Sequence, residues 1–474
     1  MVVTKAILAL VFALSPGAIG SPSTNDSSST AVLDRALTAL GGEDALGRLS
    51  GVTYHAPNIY RSRSLMQSYD LNQADTAVAT AGHQNVSFRY SSDELEQRID
   101  RRYTPSTALA EYLVLQGEKL SPKLLLKIKR GSGISVSRLD INGVDMQAVY
   151  DPSLNLTVVL HPSSDLPYIV RSVEDHSIYR ASTNDLYLTN YKAVNGLMFP
   201  HSIQTVYNSS QQFLDATLED YIIEQVDVDP EFPSDFFDGL AVNESMTPRA
   251  APMKVPGISH ARITEFQSNM LWGGITHSDV DELQVQQPVP DLPTVHWLVL
   301  DNDTLGVKQL IIEFDTEVIV GDAPPQWTSS VIQWVAQHLK KPITHLWPTH
   351  HHRDHSGGAN EYVAAGAKLI VPEMAAQYWS GIPGAQLVTF NDTHPYVHAD
   401  SRTQAWFLWQ PQAAHAADWS YSFIAPRRPS AGSPVAVFEA DVWQAGLPAG
   451  QSDQALMRHW LDQLVRDRLT MDAV

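Results

Sequence analysis

The chain has 474 residues, more than one ordinary hydrophobic core accommodates, and this length predicts at least two domains. Hydrophobic residues make up 43% and aromatic residues 9% of the sequence, which excludes a disordered or fibrous protein. The 32 Lys and Arg residues against 52 Asp and Glu residues give a net charge of −20, so nucleic acid is not expected as a partner. Cysteine is absent, which excludes disulfides, Cys-ligated zinc sites and thiol nucleophiles.

The N-terminus has the pattern of a secretory signal peptide. Lys5 precedes an apolar run from Ala6 to Leu14, and small residues follow at Ala18 and Gly20. The run is far shorter than the roughly 20 residues that cross a bilayer, and no other stretch is apolar enough to do so. We therefore predict a signal peptide over 1–20 and a Ser/Thr-rich tail over 21–30, with a buried terminal helix as the alternative.

Seven Asn-x-Ser/Thr sequons point to the same compartment. Each lacks proline at the middle position, and the Asn residues are Asn25, Asn85, Asn155, Asn208, Asn243, Asn302 and Asn391. The sequence thus predicts a secreted, extracellular protein that carries N-linked glycans.

Residues 31–225 are predicted to form a mainly antiparallel β domain. A short helix over 31–40 ends at Gly41, and alternating apolar runs follow from Val52 onward. Asn195-Gly196 is a strong hairpin signal. Gly131-Ser132-Gly133 is interpreted as a second hairpin loop between strands over 124–129 and 134–139, in preference to a phosphate-binding loop. A linker rich in Asp, Pro and Phe is predicted over 226–256.

Residues 257–474 have the pattern of an α/β domain. A hairpin around Asp315-Thr316 precedes a helix that begins at Pro325. A strand over 343–347, a helix over 358–365 and a strand over 368–371 follow in that order. Strands that alternate with helices indicate a layered α/β architecture.

The segment 349–358 carries the chemistry. It contains His350, His351, His352 and His355, four of the 18 histidines of the chain. It follows a strand and precedes a helix led by glycine, which is where α/β proteins place their sites. A solvated loop without a metal is the alternative, and the motif is too specific to favour it.

The spacing predicts two neighbouring metal positions. In an extended loop His350 and His352 project to one side, while His351 and Arg353 face away, so that His351 is expected to be exposed to solvent. Asp354 and His355, on the turn into the helix, can reach a second ion. Imidazole and carboxylate ligands suit Zn²⁺, or less selectively Fe and Mn.

This segment resembles the metallo-β-lactamase-fold hydrolases. His350, His352, Asp354 and His355 match the His-x-His-x-Asp-His signature of that family without a gap, and the resemblance extends over about 257–474. It implies a four-layer αβ/βα sandwich with the site in the cleft between two sheets. The fold expected for the chain is therefore an α/β metallo-β-lactamase-type sandwich preceded by a mainly antiparallel β domain.

The resemblance also implies further site residues. Asp322 matches an acid at the end of an early strand that supports the metal loop without ligating. His415 matches the downstream His that completes the first metal site, and Asp441 matches the carboxylate that bridges both metals. Asp418, shortly before a strand, is interpreted as a loop acid and not as a ligand.

The sequence departs from the family pattern near its last residues. The family has a final His after a helix and a strand, and here a helix over 453–468 and the start of a strand are predicted, but no such His follows. His459 lies within that helix, in the wrong place to substitute. The domain is therefore expected to be truncated or to have a weak second site.

The predicted function is metal-assisted hydrolysis of a small-molecule ester, thioester, lactone or amide. Zinc held by three imidazoles keeps one position open for a water whose pKa falls toward neutrality. Asp354 is the candidate to move protons to the leaving group. Two alternatives are a mononuclear iron oxygenase of the same fold and a non-catalytic ligand-binding protein with a degenerate metal site.

Overall fold

The structure is a computed structural model, and it describes residues 26–467 apart from several internal segments. The segments it does not describe are 59, 63–67, 73–80, 92–94, 105–116, 177, 179, 208–215, 238–279, 301–307, 326 and 443–450. The predicted signal peptide over 1–20, residues 21–25 of the predicted tail and the residues after 467 lie outside the described residues, whereas residues 26–30 of that tail form the start of a helix. Within the described residues no helix has the length and hydropathy that crossing a bilayer requires.

The N-terminal half, residues 26–237, combines three α-helices with many short strands. The helices are α1 (Asp26–Ala39), α2 (Glu43–Arg48) and α3 (Leu124–Arg130), with a 3₁₀ turn at Gly117–Leu120. The strands are β1 (Gly51–Ala56), β2 (Tyr60–Ser62), β3 (Ala81–Tyr90), β4 (Leu95–Thr104), β5 (Ser135–Ile141), β6 (Val144–Asp151), β7 (Leu156–Leu160), β8 (Pro167–His176), β9 (Arg180–Thr189), β10 (Lys192–Val194), β11 (Leu197–Phe199), β12 (Ser202–Tyr207), β13 (Ala216–Ile222) and β14 (Gln225–Val228).

These strands form antiparallel sheets around a main core, and a smaller buried cluster includes Ile141 and Ile169. An eight-stranded sheet has the order β2-β13-β12-β9-β8-β7-β6-β5, and a four-stranded sheet has the order β14-β1-β3-β4. Leu37 of α1 and Ile128 of α3 are buried with Val52 of the smaller sheet and Val158 of the larger one. The two helices thus close the interior between the sheets.

One sequence prediction in this half is wrong, and one predicted hairpin is present. Residues 124–130 form α3 and not a strand, because Leu124 and Ile128 lie on the same face of a helix and both are buried, so Gly131 ends a helix. The predicted linker begins within β14, which pairs with β1. Asn195-Gly196 does join β10 to β11, and both residues have the positive φ that such a turn requires.

The C-terminal half, residues 280–467, contains the remaining elements. Its strands are β15 (Gln284–Gln286), β16 (Val295–Val299), β17 (Lys308–Glu313), β18 (Val318–Gly321), β19 (Ile343–Trp347), β20 (Lys368–Pro372), β21 (Leu387–Phe390), β22 (Tyr396–Ala399), β23 (Thr403–Trp409), β24 (Ser420–Pro426) and β25 (Ala436–Phe438). Its α-helices are α4 (Thr328–Trp334), continued by a π-helical turn at Val335–Leu339, α5 (Arg353–Ser356), α6 (Ala359–Ala364), α7 (Ala376–Trp379) and α8 (Gln451–Arg466).

Two sheets face each other in this half. The seven-stranded sheet runs from β15 to β21, antiparallel as far as β18 and parallel from β18 onward, and the four-stranded sheet is β22-β23-β24-β25. Successive residues of a strand point to opposite faces, and Trp347 packs toward Phe407 of the second sheet while Leu346 packs toward Val331 of α4. Trp460 of α8 covers the outer face of the second sheet at Tyr421.

The layers in the C-terminal half are therefore helix, sheet, sheet and helix. The α/β class is confirmed, and most strand pairs of the chain are antiparallel. The two halves touch: Leu71 and Ile178 of the N-terminal half pack into the core beneath α4, and a Cβ at Gly381 would lie 2.9 Å from the Cγ2 atom of Ile178. The two halves therefore share a packed boundary close to α7.

Candidate metal centre

The site lies where two parallel strands end at the same sheet edge. The chain leaves β18 at Gly321 and β19 at Trp347, and the amide of Asp322 donates a hydrogen bond of 2.9 Å to the carbonyl of Trp347. A one-turn helix, α5, follows the second loop. Because carboxyl ends of parallel strands share an edge, polar residues just beyond these two strands converge there.

Two glycines let α5 pack tightly against the start of α4. A Cβ at Gly358 would lie 1.9 Å from the hydroxyl of Thr328, and one at Gly357 would lie 2.9 Å from a ring carbon of Pro325. The amide of Gly358 donates to the carbonyl of Ala323 at 2.9 Å. The turn that carries Asp354 is thus held in place by contacts that only glycine permits.

A first set of four possible ligands comes together from separate loops. Each of His350, His352, His415 and Asp441 offers one ligand atom, and these atoms lie within 4.8 Å of one another. The Nε2 atoms of His350 and His415 are 3.2 Å apart, and Asp441 Oδ2 is 3.3 Å from His415 Nε2. Three imidazoles and a carboxylate at this spacing can hold one transition-metal ion.

A second set shares one member with the first. Ligand atoms of Asp354, His355 and Asp441 also lie within 4.8 Å of one another. The Nε2 atom of His355 is 2.8 Å from Asp441 Oδ2 and 3.1 Å from Asp354 Oδ2. Within the described part of the chain this set contains a single imidazole, and His459 lies elsewhere, with its Nδ1 3.2 Å from the side-chain nitrogen of Gln410.

Asp322 supports both ligand loops from beneath. Its Oδ1 accepts a hydrogen bond of 2.7 Å from the amide of Thr349, and its Oδ2 lies 2.9 Å from His355 Nδ1. A proton on His355 Nδ1 is donated to Asp322, which leaves Nε2 directed at Asp354 and Asp441. The structure thus places Asp322 beside the ligand sets, where it orients a ligand.

The two sets differ in solvent contact. The side chains of His350 and His352 are fully buried, whereas that of Asp441 is 27% exposed and that of Asp354 is 20% exposed. His415 and His355 lie between these extremes. Among the described ligand residues, Asp441 and Asp354 thus form the side of the site that is most open to solvent.

The electrostatics of the site favour ligation by the first set. Burial lowers the pKa of His350 and His352 well below the usual imidazole value, and neighbouring imidazoles act in the same direction, so both rings are neutral. Burial alone would raise the pKa of Asp441, but His355 and His415 hold it well below its usual range. Burial would lower the pKa of His355, yet the carboxylates of Asp354, Asp441 and Asp322 raise it well above the usual imidazole value. Without an ion this ring therefore favours its protonated form, and an ion in the second set would have to displace a proton from it.

Two orphaned atoms show that these residues fit a cation. His352 Nδ1 and Asp354 Oδ1 are shielded from solvent and have no hydrogen-bond partner. An unpartnered buried nitrogen or carboxylate oxygen costs free energy unless something else satisfies it. Both atoms belong to residues of the two sets, so a bound ion in each set would satisfy them.

His351 lies in a buried environment that its sequence pattern does not predict. The residue is only 4% exposed, and its Nδ1 lies 2.7 Å from Oδ1 of Asp418, which is itself buried. The expectation of a solvent-facing His351 is wrong, and Asp418 is the buried partner of that ring. Arg353 is buried as well. Alternation along the loop does turn His351 away from the ligand sets, but it cannot reveal that another segment covers that side.

The chain shows limited similarity to known proteins. No protein-family model and no curated protein sequence matches the chain. Among solved structures, a metallo-beta-lactamase from Pontibacter korlensis is 20% identical with a TM-score of 0.24, over 30% of this chain and 66% of that one. One from Novosphingobium pentaromativorans is 16% identical with a TM-score of 0.27, over 36% and 69%. One from Hirschia baltica is 18% identical with a TM-score of 0.24, over 30% and 65%.

The chain spans slightly less than two thirds of the Pontibacter protein, at 66% of its length. Superpositions with TM-scores this low assign neither fold family nor activity to the chain. The positions and surroundings of the ligand residues themselves are what indicate a metal centre.

Proposed function

We propose that this protein is a metal-dependent hydrolase of the metallo-β-lactamase type, with the αβ/βα sandwich of that family in its C-terminal half. The observation that carries the proposal is the convergence of His350, His352 and His415 with Asp441 in one partly open pocket. The orphaned Nδ1 of His352 supports it, because that atom needs a partner which no described residue supplies.

Zinc is the ion that this donor set fits best. Three neutral imidazoles with a carboxylate suit Zn²⁺, and iron or manganese are the other candidates. When bound, zinc lowers the pKa of a coordinated water toward neutrality and so supplies hydroxide for hydrolysis. His350, His352 and His415 would hold this ion, with Asp441 beside them, and Asp354, His355 and Asp441 would hold a second ion.

The protein's own residues determine how a substrate is handled. A small-molecule ester, thioester, lactone or amide enters from the exposed side of the pocket, next to Asp441 and Asp354. Asp354, whose side chain is 20% exposed, is the carboxylate that would accept a proton from the attacking water and return it to the leaving group. Asp322 keeps the His355 ring in the orientation that this arrangement needs.

Metal content and turnover test the proposal together. Protein purified without added metal is expected to contain zinc and to hydrolyse at least one member of a panel of esters, thioesters, lactones and amides. A chelator abolishes that turnover and zinc restores it. His352→Ala is expected to lose both the zinc and the turnover, whereas His394→Ala, in an exposed loop, retains them.

Three results would contradict the proposal. Turnover that resists chelation excludes a metal-dependent reaction. Iron in the purified protein with consumption of oxygen indicates the oxygenase alternative. Metal-free protein that turns over no substrate in the panel indicates a binding protein with a degenerate site.

We also propose that the chain enters the secretory route and carries N-linked glycans. The apolar run over 6–14 and the seven sequons support this. Expression in a eukaryotic host should give secreted protein whose electrophoretic mobility increases after enzymatic removal of N-glycans. Retention of an unglycosylated product inside the cell would contradict it.

A further inference from the structure

A short piece of the N-terminal half lies directly on the loops that carry the ligands. This docking segment, residues 68–72, contacts both of them. The carbonyl of Ser68 lies 2.9 Å from His352 Nε2, and the carbonyl of Tyr69 accepts a hydrogen bond of 2.9 Å from the amide of Ala417. Leu71 packs into the core of the C-terminal half. One segment thus touches the loop of His352 and the loop of His415.

The contact with Ser68 determines which nitrogen of His352 can bind an ion. A backbone carbonyl only accepts hydrogen bonds, so His352 Nε2 carries the proton and donates it. The other nitrogen, Nδ1, is then unprotonated, and it is the buried atom that has no partner. The N-terminal half therefore fixes the ring in the tautomer that ligation requires.

His351 and Asp418 connect the same two loops beneath the docking segment. His351 Nδ1 lies 2.7 Å from Asp418 Oδ1, which also accepts a hydrogen bond of 3.3 Å from the His351 amide. His351 Nε2 lies 3.4 Å from the hydroxyl of Ser68. Asp418 lies three residues after His415, and His351 lies between His350 and His352. The His351–Asp418 contact therefore connects the loop of His350 and His352 with the loop of His415.

Ser68, His351 and Asp418 have the composition of a nucleophilic triad, but their surroundings exclude that role. Their exposures are 2%, 4% and 1%, so a substrate cannot reach the hydroxyl. The Ser68 hydroxyl also donates to the carbonyl of Asp70 at 2.5 Å, which directs its proton away from His351. The three residues form a buried structural connection.

We propose that the docking segment and the His351–Asp418 pair are positioning elements of the metal centre, contributed in part by the N-terminal half. His352 is oriented by Ser68, and the spacing between the loops of His350 and His415 is held by His351, Asp418 and Tyr69. This inference rests on the proposed metal centre. It assigns to the N-terminal half a part in metal binding that does not depend on substrate.

Metal affinity tests the inference without reference to turnover. Zinc dissociation constants are measured by competition with a chromophoric chelator for the full chain and for His351→Ala and Asp418→Ala. Loss of a residue that orients ligands typically weakens metal binding by about 10- to 100-fold, and we expect a change of that size in both variants. The absorption spectrum of cobalt-substituted protein at saturating metal is expected to shift in the same variants.

Conservative variants separate positioning from general destabilisation. His351→Asn keeps a donor close to the position of Nδ1 and is expected to recover most of the affinity that His351→Ala loses. His394→Ala is the matched control for removal of a histidine. Circular dichroism and urea midpoints show whether each variant is folded, and His351→Asn remains a usable comparison if the alanine variant is not.

The outcomes distinguish this inference from the proposed function. If the parent takes up no metal, the metal centre fails and the inference with it. If the parent binds zinc but His351→Ala and Asp418→Ala keep its affinity within twofold and its cobalt spectrum, only the positioning role is overturned. A chelator-resistant turnover that Ser68→Ala abolishes would make Ser68 a nucleophile and would also overturn it.

Discussion

The two ligand sets are built from different chemistry and are held by different parts of the chain. The first set has three imidazoles, two of them fully buried, and one of these is contacted by the N-terminal half. The second set has two carboxylates and one imidazole, lies closer to solvent and is held mainly by Asp322 and the packing of α5. A buried set of neutral nitrogen donors favours tight retention of one ion, whereas partly exposed carboxylates favour a weaker and exchangeable one.

Asp354→Asn tests this difference most strongly. The asparagine side chain cannot take up a proton and is a poorer metal ligand than the aspartate carboxylate. We therefore expect turnover to fall by roughly 10²- to 10⁴-fold, which is the range for loss of a general acid–base group. The first ion should remain, because Asp354 does not belong to the first set. Metal analysis and steady-state kinetics measure the two effects. Loss of all metal from this variant would show that the sets are not separable.

Asp322→Asn should have a smaller effect that falls unequally on the two sets. The Asp322 carboxylate accepts hydrogen bonds from the Thr349 backbone amide and from the His355 ring. An asparagine side chain has one acceptor oxygen, so it can keep only one of these bonds unless the His355 ring changes its tautomer. We expect affinity for the second ion to drop by about 10-fold or more and affinity for the first ion to change less. Isothermal titration calorimetry with zinc measures the affinities for the first and the second ion separately. Equal loss from both sets would contradict the distinction.

Gly358→Ala should act mainly through stability. The added Cβ would overlap the hydroxyl of Thr328, and such overpacking costs roughly 1–3 kcal/mol in the free energy of unfolding. Because Gly358 follows α5, the second set should lose affinity before the first. Gly47→Ala, where a Cβ meets no atom within 4 Å, is the control. Urea denaturation measures the stability, and an unchanged midpoint in Gly358→Ala would show that Thr328 moves aside without cost.

The parts of the molecule that local sequence determines were predictable. Asn195-Gly196 makes its turn because both residues adopt positive φ, whatever surrounds them. The strand over 343–347 follows from a short segment that is rich in β-branched and aromatic residues, and the loop begins at Pro348. The two-residue spacing of His350 and His352 predicts two possible ligands on one side of that loop. Their ring centroids are 4.4 Å apart in the structure.

The parts that depend on distant residues were not predictable. The run at 124–130 is apolar enough for either a strand or a helix, and burial of its whole face in the N-terminal core decides for the helix. His351 is buried because Ser68 lies 283 positions away in the sequence and next to it in space. No periodicity within the loop contains that information, so the positioning contacts become visible only in three dimensions.

The Oδ2 atom of Asp441 lies within 3.5 Å of nitrogens from His350, His355 and His415, and it therefore belongs to both ligand sets at once. An ion that arrives first neutralises part of the charge on that oxygen, and repulsion between two cations then opposes the arrival of the next. The proposed metal centre would therefore take up its two ions one after the other, the second with lower affinity than the first. Where the metal is scarce, the form with one ion would predominate.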